Sequence, residues 1–145
     1  PVALFAALWA TVALEVVGVV LALALVRPWG RRFPPRLPLL GGKKVPDWTL
    51  LAPAWGAGTL LAGHGGLFVG FGLLAAVNGD LTSEFVWYFV FWGPWFVIGG
   101  FLFMAAGWSC LRRSPQRRIG IAVSALGAFV GLVLSGTPIV LPHIV

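Results

Sequence analysis

Four stretches of this chain run with almost no charge for the length needed to cross a bilayer, about 20 helical residues. They extend from about Ala3 to Val26, Leu50 to Val77, Phe85 to Leu111 and Ile119 to Thr137. Hydrocarbon offers no water to backbone N–H and C=O groups, so each stretch must close its own hydrogen bonds as a helix. The 145 residues therefore read as one domain, residues 1–145. The expected fold is an all-α integral membrane protein with four transmembrane helices in an up-down bundle. Composition agrees: 59% of residues are hydrophobic and 10% charged, against about 45–50% and about 25% in soluble domains. A soluble enzyme and a disordered chain are excluded on that ground.

Charge placement sets the expected orientation. Arg27, Arg31, Arg32, Arg36, Lys43 and Lys44 lie between the first two spans, and Arg112, Arg113, Arg117 and Arg118 between the last two. The connection between spans two and three holds only Asp80 and Glu84. Basic loops stay in the cytoplasm, so both termini and the acidic turn are expected outside, in a bacterial plasma membrane. The net charge of +6 thus points to anionic lipid headgroups on the cytoplasmic side rather than to nucleic acid. All ten basic residues are expected headgroup contacts. Trp29, Trp48 and Trp108 flank that side, and Trp87 and Tyr88 the other, as interfacial aromatics do.

Local signals mark the helix ends. Asn78-Gly79-Asp80 is a turn that ends the second helix. Ser83 is expected to cap the third, with Glu84 in its first turn. Ser114-Pro115 reads as a cap followed by proline at the first position of the fourth helix, and Thr137-Pro138 as its stop. Gly93-Pro94 is expected to kink the third helix. The loop from Arg27 to Pro46 holds five prolines, too many for a regular helix.

Chemistry-bearing residues inside the spans are few. Glu15 lies mid-way along the first helix and His64 near the middle of the second, at similar depth. A carboxylate at mid-membrane is costly and usually faces the bundle. Glu15 shares a stripe with Ala7, Thr11, Gly18 and Ala22, small and polar as a helix–helix interface should be. Glu15, His64 and Thr11 are therefore the candidate proton or ligand site. The plainer reading is a neutral imidazole bonded to Glu15, Thr11 or a carbonyl. His64 itself shares its side with Leu60, Leu61, Leu67, Phe68 and Phe71, so either the second helix is sandwiched or His64 meets an aromatic pocket. Trp92, Trp95, Phe68 and Phe71 are the candidate contacts for a flat apolar ligand such as a quinone or carotenoid. A haem would lack a second axial histidine at that depth, since His143 lies near the outer surface. No metal site and no catalytic residue is expected, and Cys110 stands alone. Close-packing faces are expected along Gly58, Ala62, Gly66 and Gly70, and along Gly127, Gly131 and Ser135.

The run Arg27-Pro-Trp-Gly-Arg-Arg-Phe-Pro-Pro-Arg36, with Pro38-Leu-Leu-Gly-Gly-Lys-Lys-Val-Pro46 and then Ala52-Pro-Ala-Trp55, resembles loops of uncharacterised multi-pass membrane proteins of actinobacteria. It implies no activity. Ala13-Leu-Glu-Val-Val-Gly18 is similar to the first helix of small multidrug resistance transporters. That similarity implies a mid-membrane glutamate taking cation and proton in turn, a role that falls on Glu15 alone, because the long basic loop and His64 depart from that family's pattern. The expected function is a non-catalytic subunit or scaffold of a larger membrane assembly, as a homo-oligomer or with other membrane subunits. The alternatives are a proton-coupled small-molecule carrier using Glu15 and His64, and a quinone-, carotenoid- or haem-binding membrane protein.

Overall fold

The computed structural model describes residues 2–27, 31–36, 38–39, 41–80 and 82–140. Within them the side chains of residues 2–4, 6–8, 10–11, 14–15, 84–85 and 137–140 lie outside the description. The chain forms α1 (Val2–Val26), α2 (Trp48–Asn78), α3 (Ser83–Trp87), a π-helical turn (Tyr88–Trp92), α4 (Gly93–Arg113) and α5 (Arg117–Val140). Three segments are long and apolar enough to cross a membrane, Trp48–Asn78, Tyr88–Arg113 and Arg117–Gly136, and α1 adds a shorter apolar segment, Val16–Val26.

The centre of the molecule is α2, which lies between α4 and α5. Glycine permits both contacts. Against α4, the buried row on α2 is Leu51, Gly58, Gly65 and Gly72, and the buried row on α4 is Gly93, Gly100 and Gly107. Both rows repeat every seven residues, close to two helical turns, so each forms a nearly straight line. The helices run antiparallel. A Cβ on Gly65 would stand 2.5 Å from the Gly93 carbonyl oxygen, and one on Gly100 would stand 2.5 Å from that of Gly58. Backbone lies against backbone, the arrangement that apolar solvent favours because lipid tails compete with bulky side chains for contact.

A different face of α2 meets α5, and these two run parallel. Gly127 packs on the Ala52 carbonyl, Gly131 on the Gly56 carbonyl and the Thr59 hydroxyl, and Gly63 on Ser135. This matches the expected face of Gly127, Gly131 and Ser135. At the basic end, Leu51 and Leu111 are buried, and their methyls close over Gly120. The α2 stripe differs from expectation. Gly58 and Ala62 pack on α4, but among the described residues a Cβ on Gly66 or Gly70 would meet nothing within 4 Å. A four-residue repeat drifts around the helix and leaves the contact line, whereas the seven-residue row Gly58, Gly65 and Gly72 stays on it.

Helix ends follow backbone chemistry. Gly79 has φ 78°, and the N–H groups of Gly79 and Asp80 donate to the carbonyls of Ala76 and Ala75, closing α2 as its sequence implies. Three other expectations are corrected. Ser83 is already helical, and the carbonyl before it, of Thr82, accepts the Val86 N–H, so the cap falls one residue earlier. Ser114 is extended and ends α4, while α5 opens only at Arg117, with the Gln116 carbonyl accepting from Gly120. Pro138 does not stop α5, which runs to Val140; so near an end, a missing N–H forfeits a single bond. At Gly93-Pro94, where the sequence leads one to expect a kink, the helix carries a π turn. Gly93 donates to the Tyr88 carbonyl five residues back, and the widened turn gives the Pro94 ring the room an α turn denies it.

The proline-rich segment after α1 folds into a small clip. Phe33 N–H donates to Lys43 C=O at 2.9 Å, Gly42 to Phe33 at 3.0 Å, and Val45 to Arg31 at 2.9 Å. These bonds bring Arg31, Arg32, Lys43 and Lys44 side by side at the end of the bundle where Arg113 ends α4. Of the described α1 side chains only Ala24 is buried, and α1 touches the rest of the chain lightly, on α2 and α4.

Candidate functional site

His64 sits on the third face of α2, away from both glycine seams, and its surroundings are aromatic. Its ring centroid lies 4.6 Å from that of Phe68 and 5.9 Å from that of Phe96, with both rings edge-on at 63°. Phe68 continues the chain of contacts to Tyr88 at 5.1 Å, and Phe96 continues it to Trp92 at 5.9 Å. The spacing explains the seam: His64 and Phe68 are one turn apart on α2, and Trp92 and Phe96 one turn apart where the π turn passes into α4. Both readings of His64 hold at once, since α2 is sandwiched and its histidine still faces aromatic rings. Edge-on contacts of this kind are worth about 0.5–1.5 kcal/mol each beyond burial.

Toward the acidic end the seam opens into a cavity of about 510 Å³, walled by Phe68, Phe71, Leu74 and Tyr88, with Asn78 and Asp80 at its polar rim. The candidate ligand contacts therefore divide. Phe68 and Phe71 line this cavity, whereas Trp92 turns onto Phe96 and Trp95 stacks flat on Phe91, with 63% of Trp95 exposed. Trp95 precedes Phe96 by one residue on α4, about 100° around the helix, so when Phe96 packs beside Phe68, Trp95 turns away. Chemically, the cavity offers flat apolar walls, one phenol and a carboxylate at the rim.

Glu15 lies at mid-length of α1, but its side chain and that of Thr11 lie outside the described residues, as do Trp29 and His143. Among the described residues no group of three His, Cys, Asp or Glu side chains gathers as a metal site would require. The ten basic residues also divide. Arg31, Lys44 and Arg113 line one cavity at the basic end, and Arg27, Arg32, Arg36, Lys43, Arg112, Arg117 and Arg118 are exposed outside it. Cys110 lines the same cavity, half-buried.

Sequence reasoning missed two sets of residues. Thr59, whose hydroxyl lies 2.9 Å from the Ala128 carbonyl across the α2–α5 seam, was detectable as a hydroxyl one turn from Gly63 and Trp55. Gly65, Gly93, Gly100 and Gly107 were detectable as a seven-residue repeat. No family model, curated protein or solved structure matches this chain.

Proposed function

We propose that the protein is a bacterial plasma-membrane protein crossing the bilayer four times, basic end in the cytoplasm, and that it serves as a non-catalytic subunit or scaffold of a larger membrane assembly. The observation that carries this reading is the contrast between α1 and the rest. Helix α2 is locked backbone to backbone against α4 and α5, while α1 touches α2 and α4 lightly, with Ala24 the one buried side chain among those described. Val12, Val16, Val17, Val19 and Val20 are exposed along one broad side of α1. That same helix carries Glu15, and a mid-membrane carboxylate needs a polar partner or a protein environment. A second chain packed on α1 supplies both.

Extraction of the tagged protein from its native membrane in a polymer-bounded lipid disc, followed by mass determination, tests the proposal. A particle of fixed stoichiometry larger than one chain supports it; a homogeneous single chain contradicts it. The carrier reading is kept apart by two substitutions. Glu15→Gln abolishes proton coupling in a carrier and leaves a structural residue's assembly intact. His64→Phe retains the edge-on ring packing and removes only the titrating group.

A further inference from the structure

The two basic stretches, far apart in sequence, meet around a cavity of about 380 Å³ where α1, the proline-rich clip and the end of α4 come together. Arg31 and Lys44 enter it from the clip and Arg113 from α4, facing a single carboxylate, Asp47, so the lining is net positive. Arg31, Arg113 and Asp47 all lie within electrostatic reach of the Cys110 thiol on the same wall, which places the charges around one centre rather than along a surface. The lining also carries an apolar part, formed by Ala24, Leu25 and Val26 of α1 with Leu50 and Ala106. Two guanidinium groups and an ammonium suit the oxygens of a phosphate, since guanidinium binds them in pairs and lysine adds a point charge. An apolar wall continuous with the transmembrane helices suits an acyl chain and has no use for free phosphate.

We propose that this cavity is a binding site for the phosphate headgroup of an anionic phospholipid of the cytoplasmic leaflet, seated between α1 and α4. The other seven basic residues attract the leaflet as a whole; Arg31, Lys44 and Arg113 hold one molecule of it. The inference rests on the basic end lying at headgroup depth. It makes the bound lipid the filler between the Ala24–Val26 end of α1 and the three-helix core.

Cys110 is the only cysteine of the chain and reports on the site directly. The purified protein is placed in discs of phosphatidylcholine alone, of phosphatidylcholine with one-third phosphatidylglycerol, or of phosphatidylcholine with millimolar inorganic phosphate in the buffer. The rate of Cys110 alkylation by N-ethylmaleimide is followed in each. Phosphatidylglycerol should slow the reaction at least about fivefold, since each cation near anionic lipid is worth about 1 kcal/mol. The ratio should return to within about twofold of unity in the triple variant Arg31→Gln, Lys44→Gln, Arg113→Gln. It should persist in Arg32→Gln, Arg112→Gln, Arg118→Gln, which removes equal charge outside the cavity. Should the cavity triple variant fail to fold, Ala106→Leu narrows the apolar wall without altering charge and should likewise abolish protection. Equal loss in both triple variants would overturn the site in favour of diffuse attraction, and equal protection by inorganic phosphate would overturn the lipid assignment. Incorporation into the discs is read separately by co-elution, so a failure of membrane placement is distinguishable from an empty cavity.

Discussion

The Thr59 hydroxyl lies 2.9 Å from the carbonyl oxygen of Ala128 on the neighbouring helix and 2.8 Å from the carbonyl of Trp55 on its own. A threonine in a helix can bond its own preceding turn at no interhelical benefit. Here it reaches α5 as well, because Gly131 leaves the space: a Cβ at Gly131 would overlap the Thr59 oxygen. The polar contact and the glycine seam therefore depend on each other.

Thr59→Val keeps the shape and removes the donor. Interhelical hydrogen bonds in membranes average about 0.6 kcal/mol and reach about 1.7 kcal/mol. Denaturation in mixed micelles should show a loss within that range, and Thr59→Ser should restore most of it. Unchanged stability in Thr59→Val would mean that the hydroxyl serves its own helix alone.

The α2–α4 seam should tolerate no added bulk. Gly100→Leu forces a side chain into the Gly58 carbonyl and the Ala62 amide, and overpacking commonly costs about 1–3 kcal/mol or more. Gly66→Leu meets open space among the described residues and should leave the isolated protein's melting temperature unchanged. Equal effects at the two positions, read by thermal unfolding in detergent, would contradict the seam.

Much of this architecture was legible because apolar solvent leaves few options. Three long apolar helices, the Gly79 turn and the Gly127–Gly131–Ser135 face follow from length, left-handed backbone geometry and residue size, whereas the first expected span shows a shorter apolar segment, Val16–Val26. The seam through Gly58, Gly65 and Gly72 was less legible. A chain with 20 glycines offers several competing repeats, and only the partner helix decides which one is covered. Ser114 misled for a related reason: Ser-Pro reads equally well as the end of one helix and the start of the next, and here α4 uses it. At the candidate site, sequence gave His64 two readings without choosing, and it grouped Trp92 and Trp95 with Phe68. Trp92 stacks on Phe96 and Trp95 on Phe91 instead, a choice of ring partner that leaves no mark on hydropathy.

Pro94 should control the fit of Phe89 over Gly72, where a Cβ on the glycine would collide with the phenyl ring. Gly72→Ala should therefore destabilise the protein, and Pro94→Ala, by permitting an α turn, should relieve part of that cost. A double-mutant cycle should give a coupling of about 0.5–3 kcal/mol for such adjacent sites. Additive effects would show that the π turn does not set the position of Phe89.

His64→Phe should preserve thermal stability to within about 1 kcal/mol, since ring–ring contacts are retained, whereas His64→Ala should lose the contacts with Phe68 and Phe96 and cost roughly 2–4 kcal/mol. Comparable losses in both variants would show that the imidazole nitrogens, rather than the ring, hold the seam.

Membrane orientation underlies the whole account and can be read in one experiment. In a Cys110→Ser background, single cysteines are introduced by Arg36→Cys in the basic clip and by Asp80→Cys in the acidic turn. Intact bacteria expressing each variant are treated with a membrane-impermeant maleimide. We predict that the cysteine at position 80 labels on intact cells and the one at position 36 only after permeabilisation. Labelling at position 36 on intact cells, with position 80 protected, would contradict the assignment of the basic end to the cytoplasm.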